Sequence, residues 1–410
     1  MSTRRIATAE RRIAAEFVAL IAFSMSLVAM SIDSMLPALG AVANDLGARA
    51  PNDRQLVLTT FFGGLTVGQL LYGPLSDALG RKRAMYAGLV ILTAGSLCCL
   101  FATSFWMVLA GRLVAGVGAA GARIVSMAIV RDLYEGRAMA QVMSVAMSIF
   151  IIVPIIAPAI GQGILAVTTW RGIFGVLVVM TGTIFVWFAT RQSETLPIER
   201  RRPLSAGPVM RAVAEVVRNR QTVTYTLAAG LVFAALIAYL ATAQQIFGEQ
   251  YGLKEKFPFY FAALAASLGA ASMLNARLVQ RFGMLALSSL ALRASVVMSA
   301  AFLVFAFATG GQPPLWSFMA YMLAIFFCNG LLFGNFNALA MEPMGHIAGS
   351  AASVTGSITS FISLLIGTPI GRAYDGTVIP LVGGLFGMTL AALALTTFLA
   401  KPREGAVTEV

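Results

Sequence analysis

Apolar residues along this chain come in long unbroken runs, not in the alternation of half-buried soluble elements. The runs fall near 14–42, 55–75, 84–103, 105–127, 138–163, 171–190, 222–246, 257–276, 284–308, 314–340, 347–370 and 378–400, each bounded by charged residues or by Pro and Gly. A helix needs about 20 apolar residues to cross a bilayer. The pattern therefore predicts an all-α membrane protein with twelve transmembrane helices. The longest polar stretch, 191–221, lies at the midpoint and separates six spans from six. The chain divides accordingly into 1–190, a linker over 191–221, and 222–410. Within the linker, Val209–Arg218 has amphipathic spacing. It reads either as a helix on the anionic inner leaflet or as a solvated connector.

Composition excludes a soluble fold, since 59% of the residues are hydrophobic and only 11% are charged. The first apolar run, from Ile13 to about Met30, is too long for a signal-peptide core and stays as span 1. A net charge of +12 could suggest nucleic acid, but the 29 basic residues sit in short tracts between spans and form no folded stripe. Six of them (Arg49, Arg54, Arg171, Lys254, Lys256 and Arg372) lie on one set of loops, and Arg112, Arg123 and Arg293 lie within spans; the other twenty lie on the opposite set. By the positive-inside rule both termini are then cytoplasmic. Cys98, Cys99 and Cys328 all lie in apolar runs, and His346 is the single histidine, so neither a disulfide framework nor a metal or cofactor is expected. With no catalytic cluster and no sizeable extramembrane domain, an enzyme is not expected either.

Four stretches carry candidate chemistry. The first, Gly73 to Arg83, reads G-x-L-x-D-x-x-G-R-K-R and should form a tight helix-to-helix turn at the membrane face. There Gly80 supplies freedom for positive φ, and Asp77 requires a cation or a helix N-terminus. A weaker copy, Ala276 to Gly283, follows span 8, and the 203 positions between Gly80 and Gly283 are close to half the chain. Two homologous six-helix halves are the economical reading. The second stretch, in span 4, holds Gly116, Gly118 and Gly121 in a G-x-G-x-x-G arrangement. No strand precedes it, so it reads as a close helix-packing surface and not as a dinucleotide loop. Arg112, on the same helix, implies a buried partner or a watered cavity.

Span 5 is the third, with Pro154 and Pro158 removing helix hydrogen bonds and Gly161 and Gly163 permitting close approach to a neighbour across the two halves. It reads as a rocking joint or as a static kink. Fourth, in span 1, Asp33 precedes Pro37 by four residues, so a titratable side chain and a freed backbone acceptor coincide at one bend. Burial and a neighbouring cation pull a carboxyl group's proton affinity in opposite directions, which is the tuning a proton carrier needs. Counted from the outer ends of their spans, Asp33 and Arg112 lie at depths that agree within about one turn. Asp33 is either a coupling or substrate-contacting group or a permanently ionised partner of Arg112. Gln244, Gln245, Asn329, Asn335 and Asn337 either face a cavity or bridge helices.

At these residues the chain resembles the major facilitator superfamily. Gly73–Arg83 is similar to its motif A, Arg112-x-x-x-Gly116 to its motif B, and span 5 to motif C of its antiporter branch. Span 5 departs from the family form, since Ala157 precedes Pro158 and Gln162 interrupts the glycine pair. Together with Asp33-x-x-x-Pro37, the run Gly64–Asp77, Arg131-Asp132 and Trp170-Arg171, these stretches look like the twelve-span drug:proton antiporters of the Bcr/CflA type. The resemblance implies two pseudo-symmetric six-helix bundles around a central cavity. It implies a conformational latch of Gly73, Asp77, Gly80, Arg81, Arg83 and Asp132, a hinge of Pro154, Pro158, Gly161 and Gly163, and coupling or substrate contact at Asp33 and Arg112. The implied activity is efflux of small lipophilic drug-like compounds in exchange for protons by a monomer in the bacterial inner membrane, driven by the proton gradient without a cofactor. A proton symporter or facilitator importing a small solute shares the fold, but the proline/glycine pattern of span 5 favours export.

Overall fold

The computed structural model describes residues 2–201 and 206–399. Arg202, Lys401 and Arg403, counted above for orientation, lie outside them, as do the side chains of residues 1–14 and of Arg137. The described residues form fourteen α-helices and no strand. The first half holds α1 (Ser2–Asp33), α2 (Leu39–Asp45), α3 (Leu56–Leu79), α4 (Arg81–Leu100), α5 (Phe105–Leu133), α6 (Gly136–Val167) and α7 (Arg171–Arg191). The second holds α8 (Ala206–Arg218), α9 (Arg220–Gln245), α10 (Phe257–Phe282), α11 (Met284–Ala308), α12 (Leu315–Met341), α13 (Ala348–Arg372) and α14 (Ile379–Phe398).

Among the described residues, ten helical segments are long and apolar enough to cross a membrane. One of them, Leu315–Arg372, joins α12 and α13 through non-helical backbone at Met344, and α6 adds the apolar stretch Ile152–Val167. Each predicted span thus coincides with a helix, and the first comprises α1 and α2, broken at Asp33.

The chain forms two compact units. One comprises Met1–Ser205 with Ala243–Ala266, the other Ala206–Thr242 with Ser267–Val410. The linker stretch 191–221 is therefore shared between them, and the end of α9 belongs to the first unit. Polar side chains fasten that end. Gln245 donates to Asn52 Oδ1 (2.7 Å) and accepts from Gln55 Nε2 (2.8 Å), while Arg54 donates to Gln244 Oε1 (3.1 Å) and forms an ion pair with Glu249. Gln244 and Gln245 are bridging groups. So is Asn335 in the second unit, which exchanges reciprocal amide hydrogen bonds with Asn275 at 2.8 and 3.1 Å.

Helix α8 bears out the helix expected at Val209–Arg218, and protein covers part of its apolar side. Ala212 and Val216 pack against Met344, Ala351 and Val354, and Glu215 is bonded to His346 Nε2. Its apolar stripe finds a partner surface on the turn between α12 and α13, so the helix is docked on protein.

Candidate functional site

The stretch Gly73–Arg83 closes into one polar cluster. Helix α3 ends at Leu79, α4 begins at Arg81, and the single residue between them, Gly80, adopts φ 93° and ψ 159°. Arg81 turns back over the junction. It donates to Asp77 Oδ1 (2.5 Å), Ser76 Oγ (2.8 Å) and Asp132 Oδ2 (2.8 Å). One buried guanidinium thus joins the ends of α3 and α5 through two carboxylates. Gly73 contributes its carbonyl to Ser76 Oγ (3.0 Å). Arg83 is exposed and forms no ion pair among the described residues.

The cluster has a member that sequence reasoning missed. Glu194, after α7, accepts from the backbone N–H groups of Arg81 (2.8 Å) and Lys82 (3.2 Å), placing a carboxylate on the N-terminus of α4. Such a cap satisfies orphan donors and meets the positive end of the helix dipole. A Cβ at position 80 would lie 2.4 Å from Glu194 Oε2, so any larger residue would have to displace this carboxylate in addition to adopting the positive φ. The available signal was the first acid of a predominantly basic linker. At the matching junction of the second half, Gly283 keeps φ 76° and ψ 156° between α10 and α11 with open space around it. The repeat survives there as backbone after its side-chain cluster has gone.

Partial burial opposes ionisation of Glu194, but the N–H groups of Leu196, Arg81 and Lys82 and the charge of Arg201 outweigh it and hold the carboxyl below the usual glutamate range. A depressed folded-state value gives stability that is present above the unfolded value, near 4.3, and is lost as pH falls through the folded one. Glu194→Gln should therefore lower stability at pH 7 by about 1 kcal/mol. Thermal unfolding of the purified variant and wild type should converge as the pH is brought below the depressed folded-state value. An unchanged difference at that pH would remove the carboxylate from the cap.

The glycines of α5 work as packing points. Cβ atoms at Gly116, Gly118 and Gly121 would lie 2.1 Å from the Phe61 carbonyl oxygen, 2.2 Å from Leu92 N and 2.5 Å from the Tyr72 ring. Helix α5 is thereby drawn against both α3 and α4. Arg112 on this helix is 1% exposed. Its Nε donates to the Val57 carbonyl (3.1 Å), and its guanidinium carbon sits 4.2 Å from the Phe61 ring centre. Among the described residues Nη2 has no partner.

Asp33 is the last residue of α1 and is 5% exposed. The chain leaves it through a tighter helical turn, Leu36–Ala38, with Pro37 near its start. Pro37 has no N–H to offer the Asp33 carbonyl. Among the described residues Asp33 forms no ion pair, so of its two readings the permanently ionised partner of Arg112 is not the arrangement seen. Arg112 is committed toward α3, whereas Asp33 ends α1. The residue after Asp33 is held by α6, where a Cβ on Gly161 would lie 2.0 Å from the Ser34 carbonyl oxygen. Gly161 thus packs on the turn that follows α1, while a Cβ on Gly163 would meet nothing within 4 Å. Pro154 and Pro158 both lie inside the single helix α6, four and eight residues after Phe150.

Trp170, just ahead of α7, and Arg171, its first residue, both clasp Asp45 at the end of α2, at 3.0 and 2.7 Å. The sequence profile of the Major Facilitator Superfamily matches residues 17–368. The chain belongs to that superfamily. Over 94% of its length it is 30% identical to an uncharacterized MFS-type transporter, YdgK, of Bacillus subtilis, covering 96% of that protein. It is 26% identical to a bicyclomycin resistance protein homolog of Haemophilus influenzae, with 94% of each chain covered. Among solved structures, that of a D-xylose-proton symporter superposes with a TM-score of 0.71 at 13% identity, covering 93% of this chain and 98% of the other. That likeness supports the fold alone. As a major facilitator protein the chain is a multi-pass membrane transporter.

Proposed function

We propose that this transporter exports small lipophilic drug-like compounds in exchange for protons, by alternating access across the bacterial inner membrane with both termini cytoplasmic. The observation that carries the reading is the position of Asp33, a buried carboxyl group at the broken end of α1, one residue from the backbone contact between Ser34 and Gly161. A charge change at Asp33 acts where α1 bears on the proline-containing helix α6. The kinship with a bicyclomycin resistance protein homolog supports a drug-like substrate, and the span 5 pattern supports export. Asp33 takes up and releases the proton. Arg112 offers its unpartnered Nη2 to a substrate acceptor, and the Asp77–Arg81–Asp132 cluster is the conformational latch. The exchange runs on the proton gradient, in a monomer, and needs no cofactor.

The test is flux in inside-out vesicles containing the full chain, with ethidium and bicyclomycin as probes. An acidic lumen should drive probe into the vesicles, and a protonophore should abolish the accumulation. Probe driven outward by the same gradient, or flux indifferent to it, would overturn antiport in favour of symport or facilitation.

A further inference from the structure

The second unit holds a cavity of about 750 Å³ between the first turns of α9 and α11 and the last turns of α12 and α14. Arg220, Arg293, Ser288, Ser289, Thr396 and Thr397 line it, with Glu342 among the remaining lining residues. Glu342 accepts from the Gln221 side-chain amide at 3.0 Å. Arg220 donates to the Phe398 carbonyl at 3.4 Å, and neither arginine is in an ion pair among the described residues. Ser288 is 3% exposed, and its hydroxyl has no partner there. An unpaired guanidinium, a second arginine and a buried unsatisfied donor converge on one space.

The depth of Arg293 is informative. It lies nine residues into α11, about 14 Å from the helix start at 1.5 Å per residue. Side chains on a helix lean toward its N-terminus, so the arginine head is carried back toward the headgroup zone. A bare charge at that depth is costly unless water or a counter-ion meets it. The matching place in the first half differs in its side chains. By the Gly80–Gly283 register, Ser288 and Ser289 correspond to Met85 and Tyr86. Met85 is fully buried, and the Tyr86 ring lies 4.8 Å from Phe185 and 6.2 Å from Phe188. The first half thus carries two bulky side chains where the second has two hydroxyls beside its arginines and the cavity.

We infer that this cavity binds an anionic phosphate group, either the headgroup of an acidic phospholipid or a soluble phosphate. Guanidinium forks match phosphate oxygens bidentately, and the serine and threonine hydroxyls complete the donor set. The test uses the full chain purified in detergent, with Arg293→Gln and with Ser288→Met, which places the first half's residue in the void. Native mass spectrometry reads retention of dioleoylphosphatidylglycerol against dioleoylphosphatidylcholine, and thermal unfolding reads added inorganic phosphate. Wild type should retain one phosphatidylglycerol, with affinity about tenfold lower in each variant, the loss of about one charge-assisted contact. That result identifies the lipid. Stabilisation by inorganic phosphate that both variants lose, without lipid selectivity, identifies the soluble ion. Retention of neither probe, or retention that neither variant weakens, overturns the site.

Discussion

Asp33→Asn is expected to yield a protein that inserts, folds and binds probe but carries no gradient-driven efflux. Asparagine copies the shape and neutral charge of the protonated acid, so the packing around the end of α1 has nothing new to accommodate. What it removes is the alternation. Transfer of a charge into an environment with so little water is worth several kcal/mol, more than enough to bias a two-state equilibrium a thousandfold. A side chain that cannot change charge cannot supply that bias. Counterflow of ethidium down its own gradient should persist in the variant, while accumulation against a gradient falls to background. Accumulation at the wild-type level would remove Asp33 from the coupling step.

Gly161→Val should be as damaging, through packing and not through charge. The added Cβ would meet the Ser34 carbonyl oxygen at 2.0 Å and the carbonyl carbon at 2.8 Å, and both are backbone atoms with no rotamer to escape into. Relief requires α6 to move away from α1 by an ångström or more, beside Asp33. Overpacking typically costs 1–3 kcal/mol, and a backbone clash belongs at the upper end, about 3 kcal/mol. The comparison lies two residues away in the same motif. Gly163 is exposed and has open space within 4 Å, so Gly163→Val should be nearly neutral. Melting temperature and monodispersity in detergent read the contrast directly. Equal behaviour of the two variants would mean that α6 does not bear on Ser34.

The twelve spans were legible because a bilayer imposes one length and one composition on every crossing helix, and no tertiary contact alters that requirement. The turn at Gly80 was legible for a similar reason, since its φ of 93° is open to few residues besides glycine. Partnerships were less visible. Arg112 pairs with the Val57 carbonyl, and a carbonyl has no letter in the sequence; an arginine and an aspartate at like depth suggested a bond that the helices do not make. Gly161 and Gly163 look alike as letters, and only the backbone opposite separates them. Glu194 meets Arg81 across 113 positions of chain, and periodicity within a helix carries no record of such a contact. The docking of α8 escaped because an apolar stripe does not say whether lipid or protein covers it.

The membership of Ala243–Ala266 in the first unit has a consequence for synthesis. Asn52, Arg54 and Gln55 emerge from the ribosome nearly two hundred residues before Gln244, Gln245 and Glu249, the groups that satisfy them. A fragment stopped at Ser205 would lack Gln245, which accepts from the amide of the fully buried Gln55 in the finished fold. These contacts of the first unit are consequently completed only after translation has passed well into the carboxy-terminal portion.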